Sequence, residues 1–243
     1  SEDFSLTLNV EDHVRLLLSR RGLCLSKIWE RLDRVDDFID SVMPYAFSRE
    51  RGYKTARISN LGTGMRCYCV MHLPILNEEK NFNDLLNEIS RYGVIIKNAL
   101  NVNMPRVGGL FVLYNQRSLG LSETGIIDIV NHVANRLMRE ELRLRQEMDP
   151  LVLKDRIMRS YGLLKYAKML DLIETCRLLS DMMLGESMKV FRTEEGFSLY
   201  ELMLGIFPGN LQVYYKSPFD QNEMKEKRAE FVQRFMDSLY LIG

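Results

Sequence analysis

The hydrophobic pattern of this chain changes period near Ser122 and does not change back. Ahead of that point, short apolar runs alternate with polar residues, as strands with one buried face do. Beyond it, apolar residues recur every three or four positions, as helices packed on one side do. Strands separated by loops and helices, followed by a run of helices, predict an α+β fold with a large, mainly antiparallel sheet flanked by helices. The 243 residues suffice for one large domain or two small ones, with 1–121 mostly sheet plus two helices and 122–243 mostly helical.

The individual elements follow from the same pattern. "FSLTLNV" and "VRLLL" read as strands on either side of a charged cluster. Ile28, Leu32, Val35, Ile39 and Val42 mark a helix with Ser26 as its N-cap, and "YKTARI" reads as a short strand. "SNLGTG" is a glycine-containing loop leading into a long strand, "MRCYCVMHL". A helix from about Glu78 to Tyr92 turns Phe82, Leu85, Leu86 and Ile89 inward and stops at Gly93. "VIIK" and "VGGLFVLYN" are further strands. Ser122 caps a long helix carrying Ile126, Ile127, Val130, Val133, Ala134 and Leu137. Asp149-Pro150 opens the next, and breaks are expected near Gly162, Gly185, Gly205 and Pro208-Gly209.

Charge and cysteine usage narrow the function classes. Lys plus Arg and Asp plus Glu each number 33, so there is no broad basic field for nucleic acid, although a local cationic pocket remains open. No apolar run approaches the ~18 residues of a membrane span. Cys24, Cys67, Cys69 and Cys176 form no CxxC pair and no cluster with His13, His72 or His132, which argues against zinc and fits a reducing cytoplasm. Cys67 and Cys69 alternate and would share one face of a strand. Taken as a core or edge residue, His72 needs only a hydrogen-bond partner. Met182, Met183, Met188 and Met203 most simply pack helices. "MKEKRAEFVQRF" most simply forms a charged helix face with Phe231 and Phe235 inward.

The stretch "NVEDHVR", Asn9 to Arg15, has two readings. It is a solvated strand end or turn, or it is a site in which Arg15 grips an anion while Glu11 holds a cation. "GTG" alone is a weak phosphate-loop signal, since paired glycines often mark only a turn.

Several motifs in order carry more weight than any one. "NVEDHVR" resembles the "NEEDHxR" signature of the ATP:guanidino phosphotransferases, and "SNLGTGMR" resembles that family's "TNxGTGxR". "HLPIL", "NQRSLGLSE", "DRIMRSYGLL", Glu174-Thr175 and "LSDMMLG" are similar to the bacterial protein-arginine kinase branch. The resemblance covers nearly the whole chain. It implies the family's catalytic domain, of the glutamine-synthetase-like type, over residues 1–243, without the smaller N-terminal helical domain whose "SxRxR" element reaches the nucleotide phosphates. It implies ATP carried with Mg2+, and protein arginine side chains as acceptors. A homodimer or a stress-response partner protein is a further expectation.

Carried over residue by residue, the resemblance makes Arg15 and Arg66 phosphate clamps, assigns Cys67, Tyr68, Cys69 and Val70 to the nucleotide strand, and makes Glu11 the carboxylate that holds the acceptor guanidinium. Guanidinium forks suit phosphate oxygens in a way that Lys does not. The departures fall on the acceptor side, the nucleotide side and the regulatory helix. Val10 replaces an acid. Arg57 stands where "TACPTN" has a reactive cysteine, so its charge would repel an incoming guanidinium, or would block the site by pairing with Glu11. Lys97, assigned by the resemblance to nucleotide binding, replaces an arginine and Val102 a glutamate in the family's flexible loop, and no acid occurs from Lys97 to Arg117. "MKEKRA" replaces the regulatory "RDxxRA", leaving Arg228 and Ala229. Two function classes follow: an arginine phosphotransferase with an incomplete catalytic set, or a degenerate kinase serving as a regulatory or protein-binding module.

Overall fold

The structure is a computed structural model that describes residues 2–100 and 106–242. It divides into two compact units. The first contains residues 1–71, 81–97 and 112–138, and the second contains 72–80, 98–111 and 139–243.

The first unit opens with a hairpin of β1 (Glu2–Leu8) and β2 (Val14–Arg20), paired antiparallel with Leu8 opposite Val14 and Phe4 opposite Leu18. Period-two patterning puts Phe4, Leu6 and Leu8 on the same face as Val14, Leu16 and Leu18. Helix α1 (Leu25–Val42) packs against β2, with Ile28, Leu32, Val35 and Ile39 half-buried. Its first residue lies outside the expected start: Cys24 takes the N-cap position, and Ser26 is inside the first turn. The strands β3 (Phe47–Ser48) and β4 (Gly52–Tyr53) form a minimal hairpin. The strand expected over "YKTARI" is therefore reduced to Tyr53, and Ile58–Asn60 forms a 3-10 turn.

Strands β5 (Tyr68–His72), β6 (Val94–Asn98) and β7 (Leu110–Asn115) make a three-stranded sheet in the order β5-β7-β6. Among the described residues the strands thus fall into sheets of two, two, three and two. Helix α2 (Phe82–Ser90) buries Phe82 and Ile89, and Gly93, at φ +78, closes it. Glu78 belongs to a separate 3-10 turn, Leu76–Glu78. Helix α3 (Glu123–Glu147) begins where the period changes: the Ser122 Oγ accepts the Gly125 N–H at 3.1 Å, and Ile126, Ile127, Val130, Val133, Ala134 and Leu137 are all buried.

The second unit is built around α4 (Pro150–Tyr166) and α5 (Leu172–Ser187), with α6 (Leu199–Gly205), α7 (Pro208–Tyr215) and α8 (Gln221–Met236) completing one hydrophobic core. Asp149 and Asp171 cap α4 and α5 through their carboxylates, and Asp220 with Glu223 forms a capping box on α8. Gly162 does not break its helix, which runs on to Tyr166, whereas α5 ends at Ser187, two residues past Gly185. A Cβ on Gly185 would come within 2.6 Å of Phe191 and 2.7 Å of Ile157, so its role is close packing. The pair β8 (Phe191–Thr193) and β9 (Leu239–Leu241) is not visible in the sequence pattern; three residues are too few to show a period.

Candidate functional site

The "NVEDHVR" cluster is the turn of the β1–β2 hairpin. Asn9 adopts φ +54, a left-handed conformation that Asn tolerates. Its N–H donates to the His13 carbonyl at 3.1 Å, and its side-chain oxygen meets His13 Nδ1 at 3.0 Å. These bonds close the turn and leave its acids at the tip. Asp12 Oδ1 accepts the Ala56 N–H at 2.6 Å. Glu11 forms an ion pair with the Arg57 guanidinium. Thr55 Oγ1 donates to the Arg57 carbonyl at 2.8 Å, and Asn60 N–H to the same carbonyl at 2.9 Å, so the backbone of residues 55–60 is folded tightly around Arg57. Arg15 lies on β2 opposite Thr7, with an exposed side chain.

The glycine loop is held by backbone proximity. Tyr53 and Gly62 exchange N–H···O bonds of 2.8 and 3.4 Å. A Cβ on Gly52 would lie 2.3 Å from the Gly62 carbonyl oxygen, and one on Gly62 would lie 2.8 Å from Leu119 Cα. Only glycine fits where these backbones meet, and Gly62 also sits at φ +109.

Asn115, buried at the end of β7, fastens this loop. Its side-chain oxygen accepts the Cys67 N–H at 2.8 Å, and its amide donates to the carbonyls of Met65 and Arg117, both at 3.1 Å. Ser118, fully buried, donates to the Met65 carbonyl at 2.9 Å. The two motifs "SNLGTGMR" and "NQRSLGLSE" are therefore one folded object.

Arg66 emerges from that object. Its Nε donates to Asn60 Oδ1 at 2.9 Å and its Nη1 to the Asn115 carbonyl at 3.1 Å. Its guanidinium carbon lies 5.6 Å from the Tyr114 ring centre, Lys97 Nζ lies 5.9 Å from the same ring, and Tyr68 packs against it at 5.4 Å between centroids. Two cations and a second aromatic ring are thus gathered around one side chain of β7, a combination suited to a phosphate and a planar base. Tyr68 and Val70 are exposed. Cys67 is buried and Cys69 half-buried. Burial, with Cys69 adding repulsion, pushes the Cys67 thiol up to about 12, and burial raises Cys69 as well. Neither is a thiolate at neutral pH.

The structure brings Glu11 to Arg57, and Arg66, Tyr68 and Lys97 to Tyr114. Arg15 stands in the separate β1–β2 sheet. Val102 lies outside the described residues. Tyr114, Asn115 and Asn60 were not singled out from sequence. The signal was present in β7, where Phe111, Leu113 and Asn115 are buried and Val112 and Tyr114 are less so. Among the described residues no group of three His, Cys, Asp or Glu side chains is placed to hold a metal ion.

Two further residues have structural employment. His72 Nε2 meets Ser180 Oγ at 2.8 Å, and burial, with Arg145 and Arg156 nearby, pushes the ring's pKa down to about 3. Arg228, 2% exposed, donates to the carbonyls of Ile206 and Leu170 at 3.0 and 2.8 Å, and so joins the segments ahead of α5 and after α6.

This fold and loop architecture is that of a guanidino kinase. Residues 1–144 match the family described as ATP:guanido phosphotransferase, C-terminal catalytic domain. In solved structures the fold recurs in a lombricine kinase, at a TM-score of 0.53 and 24% identity over 60% of this chain and 41% of that one. It also recurs in the duplicated taurocyamine kinase of Schistosoma mansoni, at a TM-score of 0.52 and 22% identity over 68% of this chain and 25% of that one.

The chain belongs to the ATP:guanidino phosphotransferase family, in its protein-arginine kinase branch: residues 150–240 match the protein-arginine kinase McsB C-terminal domain. It is 34% identical to the protein-arginine kinase of Bacillus subtilis (strain 168) over 96% of its own length, and spans 65% of that relative. It is 32% identical to the protein-arginine kinase of Caldanaerobacter subterraneus subsp. tengcongensis over 94% of its length and 68% of the relative's.

Proposed function

We propose that this chain is the catalytic-domain portion of an ATP-dependent protein-arginine phosphotransferase whose phosphate side is retained and whose acceptor side is attenuated. The observation that supports the first part is the convergence of Arg66 and Lys97 on Tyr114. Phosphoryl transfer depends chiefly on positioning and charge stabilisation. Arg66 spends two N–H groups on Asn60 and Asn115, which fix the guanidinium plane, and a guanidinium has five. The remaining donors, the Lys97 ammonium and the exposed face of Tyr68 suit a nucleotide. ATP would supply the phosphoryl group, with Mg2+ travelling on its phosphate oxygens. Arg15 would add a second fork.

Attenuation rests on Val10, on Arg57 beside Glu11, and on the absence of any acid between Lys97 and Arg117. A misplaced orienting group costs on the order of a hundredfold in rate. The Arg57–Glu11 pair also favours a second reading, a regulatory or protein-binding module descended from a kinase and working with a homodimer mate or a stress-response partner. Four free cysteines suit a cytoplasmic setting, and no helix among the described residues is long and apolar enough to cross a membrane.

Calorimetry with Mg-ATP on this chain and on Arg66→Ala tests the nucleotide reading; equal heats would remove Arg66 from the site. Incubation with Mg-ATP and casein, followed by mass spectrometry at neutral pH, tests attenuation. Arginine-linked phosphate formed at high turnover in a Glu11-dependent manner would overturn it.

A further inference from the structure

The glycine loop also lines an open cavity that the phosphotransferase chemistry does not use. The β3–β4 hairpin, Gly62 and Thr63 of the loop, and the segment from Leu119 to Glu123 enclose about 280 Å³. The geometry points to this cavity as a docking pocket for a lysine side chain presented by a second protein. It shares no residue with the Glu11–Arg57 pair or with the cluster around Tyr114. Its existence rests on the geometry alone. Its use, holding a protein whose arginine is to be phosphorylated, rests on the phosphotransferase reading.

Shape and charge both select the occupant. Gly52, Gly62 and Gly120 line the space without side chains, and the Tyr53–Gly62 backbone bonds hold two of these segments together. Apolar groups stand at the opening: Phe47, packed edge-on against Tyr53 at 5.2 Å between centroids, is 55% exposed, and Leu119 is 44% exposed. Such walls suit the aliphatic stem of a long basic side chain, and an aromatic face adds to the hold on its charged head. Glu50 and Glu123 are the lining carboxylates and Arg51 the lining cation, and none of the three has an ion-pair partner among the described residues. Burial, followed by Asp36, Asp40, Glu123 and Asp37, pushes the Tyr53 hydroxyl above the ordinary tyrosine range, so this wall resists a new negative charge and favours a positive one. The start of α3 contributes about half a positive unit charge and Arg51 one more. The two lining carboxylates and the three aspartates of α1 outweigh them. Glu50 and Glu123 come from separate elements, which suits the rotatable donors of an ammonium better than a planar fork.

The pocket is tied to the phosphate side through the loop itself. Gly62 and Thr63 follow Asn60, whose side-chain oxygen fixes Arg66 Nε at 2.9 Å. A protein docked by its lysine is therefore held against the loop that seats Arg66, and the pocket would give preference to proteins that carry a lysine close to the acceptor arginine.

The test is amide NMR titration of the full chain with Nα-acetyl-lysine methylamide, against the matching norleucine and glutamate compounds. Gly52, Gly62, Thr63 and Gly120 are the reporters. The lysine compound should shift them, norleucine should shift them less, and glutamate should leave them in place. Glu50→Gln and Glu123→Gln should each weaken lysine binding about twofold to fivefold, the range of an exposed ion pair, and the double exchange should weaken it further. Arg51→Ala should tighten it by a similar factor, and Glu11→Gln should leave it unchanged. Glu50 lies in the exposed turn between β3 and β4, so its exchange gives an independent reading should Glu123→Gln disturb the start of α3. Glutamate or norleucine binding as well as lysine, or lysine binding indifferent to both glutamine exchanges, would overturn the inference. Arg66-dependent nucleotide heats without lysine binding at these glycines would remove this inference and leave the phosphotransferase reading standing. Lysine binding there without nucleotide heats would support the pocket and count against that reading.

Discussion

Arg156 and Arg57 are both paired with carboxylates, and the two pairs have little else in common. All three nitrogens of Arg156 are engaged, Nε with Asp181 at 2.7 Å and Nη1 and Nη2 with Glu78 at 2.9 and 2.7 Å, while Ser160 donates to the second Asp181 oxygen at 2.7 Å. Close by in sequence, buried Glu141 accepts the N–H groups of Ile75 and Leu76 and the Nε of Arg145. Arg57, by contrast, meets Glu11 on a surface turn. The first arrangement is harder to break because the Asp181 carboxylate at its centre is 10% exposed and has few other partners, although Glu78 at its rim stays open to water. The second is cheap to break because water or another ion can take either place. In this molecule the helical unit spends charge on stability, and the hairpin tip keeps charge available for exchange.

The strongest test of that contrast is Asp181→Ala. It strands Arg156 Nε and the Ser160 hydroxyl in a mostly buried setting and should lower the unfolding free energy by about 3 kcal/mol or more in urea titration. Burial raises the Asp181 carboxyl above its usual range although Ser160 and Arg156 pull the other way, so Asp181→Asn should be clearly milder than the alanine change. A loss below about 1 kcal/mol for Asp181→Ala would erase the distinction between the two regions.

Arg66→Ala should weaken Mg-ATP binding by roughly tenfold to a hundredfold, the equivalent of a charge-assisted hydrogen bond, with a smaller effect on stability. Calorimetry and urea titration on the same preparation separate the two quantities.

His72 supplies a test in pH. Its folded pKa lies at about 3, below the ordinary histidine value. As pH falls through about 6.5 the unfolded chain takes up a proton that the folded chain refuses, so stability is lost between about 6.5 and 3 at up to ~1.4 kcal/mol per pH unit. By pH 5 the loss should reach about 2 kcal/mol, and His72→Gln should flatten that slope.

The smallest expected effect is the most discriminating. Arg57→Ala should change unfolding free energy by less than about 1 kcal/mol, in either direction. A larger loss would make Arg57 a structural residue like Arg156.

What the sequence revealed tracks how far apart the partners lie. Helix α3 was legible because its cap, Ser122, and its buried stripe from Ile126 to Leu137 are local and periodic. The hairpin was legible because alternation on both arms surrounds a charged turn. The placement of Glu11 beside Arg57 was legible only as one of two outcomes for a cation in that position. Asn115 was missed because its three side-chain bonds reach mainly to residues about 50 positions earlier, and no periodicity marks a long-range tie.

That same Asn115 tie fixes an order of events in folding. The loop carrying Arg66 is secured by Asn115 and Ser118 across separations of 48 to 53 residues. Closing so long a stretch of chain carries an entropic cost before any contact repays it. The Arg66 loop therefore cannot set until β7 has been laid down. During synthesis the ribosome must deliver residues up to about Ser118 before Arg66 has its seat, so a nascent chain halted earlier would carry the "GTG" sequence without the geometry that gives it meaning.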